Sequence, residues 1–239
     1  MKLLFSVLFA SLLLNSYAQT CSIKVEPDVS VQSFEEEMAV FFSLKFTING
    51  VSFGTTSSRE NLIRLNPNGF DTIRYVYFWQ GKRIETFSLC KFRPNEHYTI
   101  SPCTCCGIFL MLPGKKAERG FVQFVNESET PYLGSVSELG YDSIPAKDQT
   151  PFLFSAISMN CGFRPSQIAV FEQSYADTKY DYEQLSKLDD AAQSELEAQQ
   201  RKLIRYEVDF LFLHGEKLIL SISKDGSGFT LKTALTPGK

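Results

Sequence analysis

Histidine and tryptophan are nearly absent from this chain, with two histidines and one tryptophan in 239 residues. So few imidazoles exclude a His-rich metal centre and leave little acid–base capacity near neutral pH. No Gly-x-Ser-x-Gly elbow, phosphate-binding loop or His-Glu-x-x-His stretch occurs. The common signatures of serine hydrolases, nucleotide enzymes and zinc peptidases are therefore missing. No block of like charge stands out, since 24 Lys and Arg face 27 Asp and Glu. That mild acidic balance argues against a nucleic-acid surface, and no basic run approaches a polybasic membrane segment.

What is present begins with the first 18 residues. Met1-Lys2 is a short positive start, Leu3 to Leu14 is apolar, and Ser16-Tyr17-Ala18 puts small residues before a cleavage point at Gln19. This three-part order is that of a secretory signal, and its apolar core is too short for a ~30 Å hydrocarbon layer. The remaining chain is expected outside the cytoplasm, and no later segment is apolar enough to form a transmembrane helix. Lys2 is the only charge removed, so the remainder carries 23 basic and 27 acidic residues.

Period-two alternation dominates the rest. Met38, Val40, Phe42, Leu44, Phe46 and Ile48 share one face, and Asn49-Gly50 then favours a tight hairpin into Val51-Ser52-Phe53. Residues 73–79 and 82–89 around Gln80-Gly81 suggest a second hairpin, and 108–112 with 120–125 around Pro113-Gly114 a third. A C-terminal meander is expected from 204–213, 217–224 and 229–233. Residues 127–151 carry Pro131, Pro145, Pro151, Gly134 and Gly140 without strand periodicity, which points to a connection. One helix is expected over about 178–202, free of Gly and Pro, with Thr178 and Asp181 as a capping pair and a narrow apolar stripe suited to a surface position.

The fold expected is thus mainly β. It has an antiparallel β-sandwich-like part over 19–128, a linker or long loop over 129–150, and an antiparallel sheet with one long surface helix over 151–239. The two β parts could also form one unit.

Six cysteines, Cys21, Cys90, Cys103, Cys105, Cys106 and Cys161, read as disulfides in an exported chain. Bonds inside the Cys103–Cys106 cluster would be strained, because extended neighbours two apart are separated by about 6.6 Å. Each cluster cysteine is therefore expected to join one of the three scattered ones. The alternative is a soft-metal site of Cys90, His97, Cys103, Cys105 and Cys106, in which thiolates and one imidazole hold Zn(II) or Cu(I).

Glu207 and Asp209 share one face of the strand 204–213, opposite Ile204, Tyr206, Val208, Phe210 and Phe212. Paired carboxylates on one strand face are an arrangement that glycosidases use. The fragment Glu207-Val208-Asp209 resembles part of the Glu-x-Asp-x-(x)-Glu strand of laminarinase-like β-sandwich glucanases. The resemblance implies a carbohydrate-active hydrolase using Glu207 and Asp209. It departs at the final acid, where Leu211 or Phe212 stands. A row of Tyr75, Tyr77 and Trp79 on one face of 73–79 supplies rings that can stack on a sugar or a protein. Asn126-Glu127-Ser128 is a glycosylation sequon. Together these features favour an exported, non-enzymatic binding or scaffolding protein for a protein or glycan ligand, without a cofactor. The hydrolase and the thiolate metal site are the alternatives.

Overall fold

A computed structural model describes residues 19–25, 45–53, 60–67, 69–79, 82–103, 107–111, 119–136, 140–154, 166–178 and 188–234. The fold is mainly β and sandwich-like, and the chain divides into two compact units. The first is Met1–Thr86 with Lys91–Pro113, and the second is Phe87–Cys90 with Gly114–Lys239.

In the first unit, β1 (Thr20–Val25) lies between β4 (Asn61–Arg64) and β7 (His97–Cys103), and β8 (Gly107–Met111) pairs with β7. A second group holds β2 (Lys45–Ile48), β3 (Val51–Phe53), β5 (Asp71–Trp79) and the start of β6 (Lys82–Cys90). The expected Asn49-Gly50 hairpin forms, with φ of 48° at Asn49 and 83° at Gly50 joining β2 to β3. The apolar run from Met38 to Leu44 lies outside the described residues.

The unit is tied together at Asp71, whose carboxylate is fully buried. Its Oδ1 accepts from Asn49 Nδ2 at 2.7 Å and from the Asn66 amide at 2.9 Å, and its Oδ2 accepts from the Phe92 amide at 3.2 Å. A buried carboxylate is tolerated only when donors replace its water. Three chain reversals are thereby held at one point.

The second unit stacks two sheets. One has the order β11-β10-β13-β14, from β10 (Tyr132–Val136), β11 (Asp142–Ile144), β13 (Ser166–Glu172) and β14 (Ile204–Leu211). Ser88, Leu89 and Cys90 at the end of β6 run parallel beside Asp209, Phe210 and Leu211. The other has the order β12-β9-β15-β16, from β9 (Phe121–Asn126), β12 (Leu153–Phe154), β15 (Lys217–Ile222) and β16 (Phe229–Thr233). Val122, Phe124, Leu218, Leu220 and Ile222 from this sheet are buried, as are Ile168, Val170, Val208 and Phe210 from the first. Tyr206 of β14 stacks on Phe229 of β16 at 5.4 Å, and Gly134 of β10 admits the Phe124 ring, which a Cβ there would meet at 3.0 Å.

Four expectations are corrected. The 108–112 and 120–125 segments do not form a hairpin, because β8 pairs with β7 while β9 runs parallel to β15. The C-terminal meander holds only for β15 and β16, since β14 belongs to the other sheet. The supposed linker 129–150 carries β10 and β11. All of β10 is buried, so no polar alternation marks it. The helix, α1, runs over Asp190–Leu203 and is capped by Asp189, whose side chain accepts from the Ala192 amide. Thr178 ends a 3-10 helix, Gln173–Thr178, and its hydroxyl donates to the Tyr175 carbonyl rather than capping a helix. Asp181 lies outside the described residues. α1 buries no residue, as a surface helix should. Among the described residues no helix is long and apolar enough to cross a membrane.

Gly120, just before β9, is required by packing. A Cβ there would lie 1.8 Å from Cδ1 of the buried Phe212 ring. Gly120→Ala should lower stability by about 1–3 kcal/mol through overpacking. Equilibrium urea unfolding reads this directly, and an unchanged midpoint would contradict the close approach.

Candidate functional site

β14 must choose which side to bury. Val208 and Phe210 face the sandwich core, so Glu207 and Asp209 project from the other side, as their alternation predicts. Antiparallel register places Glu207 opposite Ala169 and Asp209 opposite Gln167. The Gln167 side-chain amide donates to Glu207 Oε1. Arg205 donates to Glu172 at 3.3 Å, an exposed pair of small energetic weight.

A register shift between Val170 and Phe171 sets Phe171 opposite Ile204. The shift carries Ile204 off the face it was expected to share with Tyr206 and Val208 and onto the Glu207 side. There it packs against Leu133, Ala169 and Phe171, together with Tyr141 and Tyr175. Three of these rings form a cluster. Phe171 and Tyr175 are 4.2 Å apart, and Tyr141 lies 5.4 Å from each of them. The 3-10 helix that bears Tyr175 is pinned by Gln173, which donates to the Tyr132 carbonyl at 2.8 Å, and by Gln200 of α1, which donates to the Thr178 carbonyl at 3.0 Å.

Burial first, then Tyr141 and the negative Glu207, push the Tyr175 phenol up to about 12. The surface therefore combines the half-buried Tyr141 and Tyr175 rings, packed over the buried Phe171, with an exposed carboxylate, an amide and a second acid on one sheet face. It can stack against a ring and pair with its hydroxyl groups. It lacks the third acid of the glucanase strand, because Leu211 and Phe212 are buried at that point.

The other residues singled out in the sequence fall elsewhere. Tyr75 is 4% exposed and belongs to the core with Ile73, so it cannot line an open aromatic row. The side chains of Tyr77 and Trp79 lie outside the described residues. Asn126 is buried: its amide donates to the Thr130 and Pro145 carbonyls at 2.8 and 3.0 Å, and its Oδ1 accepts from Ser128. It is a loop clamp, and the folded chain offers no amide there for a glycan.

Cys21 is a buried thiol, pushed up to about 12 by burial first and by the Asp71 charge second. Cys90 is buried too, and no disulfide joins the described cysteines. The Cys103 side chain and all of Cys105, Cys106 and Cys161 lie outside the described residues. The thiolate metal site loses His97 on geometry. His97 and Cys103 are the two ends of strand β7, about 20 Å apart at a strand's rise, too far to share one ion.

His97 instead joins a cluster the sequence does not announce, because its members stand 37 and 38 positions apart. The Ser22 hydroxyl donates to Glu60 Oε1 at 2.5 Å, and His97 Nδ1 lies 2.5 Å from that hydroxyl and 2.8 Å from the carboxylate. The pairing of β1 with both β4 and β7 brings them together. Hydroxyl and carboxylate meet the same ring nitrogen, so no Ser–His–acid relay exists, and Ser22 is only 6% exposed. These hydrogen bonds hold the Glu60 carboxyl below its usual range.

No protein-family model matches the chain, and no curated protein matches it either.

The Tyr175 shift has a measurable consequence. Below pH about 10 the phenol is neutral in both folded and unfolded chains. Between about 10 and about 12 the unfolded chain loses a proton that the folded one keeps, so stability falls as pH rises through that window. Tyr175→Phe should remove part of this fall, read as urea midpoints across the window. An identical pH dependence in the variant would contradict the burial of the phenol.

Proposed function

We propose that the chain is exported and acts as a non-enzymatic binding protein, with the Glu207 side of β14 as the ligand surface and a glycan as the ligand. The observation that carries this reading is the juxtaposition of the half-buried Tyr141 and Tyr175 rings with Glu207 and its Gln167 partner on one sheet face. Sugars present apolar ring faces edged by hydroxyl groups. Tyrosine rings beside planar carboxylate and amide groups match both features. The leader pattern of residues 1–18 supports export.

Binding is favoured over hydrolysis by the acid inventory. A retaining glycosidase needs a nucleophile and a proton donor about 5–5.5 Å apart. Here Glu207 is hydrogen-bonded to an amide, Glu172 is paired with Arg205, and the family's donor position is apolar.

The test uses immobilised β-glucan, chitin and cellulose, with reducing ends measured in the same samples. Retention of the wild-type chain is expected on at least one of them, without sugar release. Glu207→Gln and Gln167→Ala should each weaken retention by about 1.5–3 kcal/mol, the cost of losing a charge-assisted hydrogen bond. Their melting midpoints should stay near wild type, because neither side chain is in the core. No retention on any matrix would overturn the reading. Reducing ends that vanish in Glu207→Gln would replace it with the hydrolase.

A further inference from the structure

The outward face of the β12-β9-β15-β16 sheet differs in chemistry from the Glu207 surface. Register places Phe154, Phe121 and Lys217 side by side across β12, β9 and β15. The next outward row is Gln123, Ile219 and Lys232, and the one after it is Val125, Ser221 and Thr230. Phe154 is 52% exposed and the neighbouring Phe152 38%, high values for rings with no polar atom. Cations sit over them. The Arg119 guanidinium is 4.9 Å from the Phe154 ring, and Lys217 Nζ lies 5.6 Å from Phe152 and 5.7 Å from Phe121.

Two features stand out on this face. The three rows contain no Asp or Glu, and among the described residues Arg119, Lys217 and Lys232 form no ion pair with a carboxylate. The chain as a whole carries a net charge of −3, so this face is positive against an acidic background. A distant anionic surface would orient the molecule with this side towards it.

We propose that this face docks on a membrane surface rich in anionic phospholipid. Phe152 and Phe154 enter the boundary between headgroups and acyl chains, while Arg119, Lys217 and Lys232 reach the phosphates. Cationic groups held over exposed rings put the charge and the apolar surface side by side, which suits that boundary. A neutral glycan fits less well, because phenylalanine offers its hydroxyl groups nothing to pair with and the cations would have no counter-charge. The cations come from residues 119, 217 and 232, and only the parallel pairing of β9 with β15 and the β15–β16 hairpin collects them. No basic run in the sequence could show them. The inference is independent of the glycan reading, since β14 lies in the other sheet.

Co-sedimentation of the purified chain with vesicles of mixed phosphatidylglycerol and phosphatidylcholine tests this, with phosphatidylcholine alone as the comparison. Binding is expected only to the mixed vesicles, and it should weaken as salt is added. The double variant Lys217→Glu/Lys232→Glu should lose binding about tenfold or more. Phe154→Ser should lose it without restoring affinity at low salt. Both variants should melt near wild type, since the replaced side chains are exposed. Equal binding to the two vesicle types, binding to neither, or retention on heparin with no vesicle binding would overturn the proposal.

Discussion

The second unit depends on the two-sidedness of β14. Val208 and Phe210 are buried in the sandwich, and Tyr206 stacks on Phe229 across it. A slip of one residue would drive Arg205, Glu207 and Asp209 into that core. Burying each charge without a partner costs several kcal/mol, while each exposed Val or Phe forfeits about 1.5–3 kcal/mol of burial. Register is therefore fixed, and the acidic side of the strand follows from the apolar side. The irregularity at Val170/Phe171 adds the second element by turning Ile204 onto the acidic side. An aromatic cluster grows there beside Glu207. Packing on one face thus creates the chemistry of the other.

The first unit obeys a different constraint. Its fixed point is a buried carboxylate, Asp71, that gathers the Asn49 side chain and the amides of Asn66 and Phe92. The Cys21 thiol feels the same charge and is held in its protonated, unreactive form. The first unit is organised by a polar hub. The second is organised by two apolar sheet faces that meet in its core, and the proposals rest on the Glu207 side of β14 and on the outward side of the β12-β9-β15-β16 sheet.

Local chemistry in the sequence was legible wherever neighbours along the chain are also neighbours in space. Asn49-Gly50 specifies a hairpin because both residues accept positive φ, and it forms. The alternation of 205–210 predicts the sides of β14, and the apolar stripe predicts a surface helix. Non-local pairing was not legible. Nothing in β9 or β15 announces that they run side by side, so two hairpins were expected where the chain changes sheet. Gly134 looks like a breaker, yet it is a strand residue whose missing Cβ makes room for Phe124. Glu207 and Asp209 could be found in the sequence. Tyr141, Tyr175, Gln167 and the Ser22–Glu60–His97 cluster could not, because only the sheet register assembles them.

The central claim is that the Glu207 side of β14 meets a ligand. Nuclear magnetic resonance mapping tests it most directly, with backbone amide shifts of the labelled chain followed during titration with soluble β-glucan and chitin oligosaccharides. Shifts concentrated at Tyr141, Gln167, Ala169, Tyr175 and Glu207 are the predicted result. An unperturbed spectrum with every oligosaccharide, or shifts confined to residues away from this face, would contradict it.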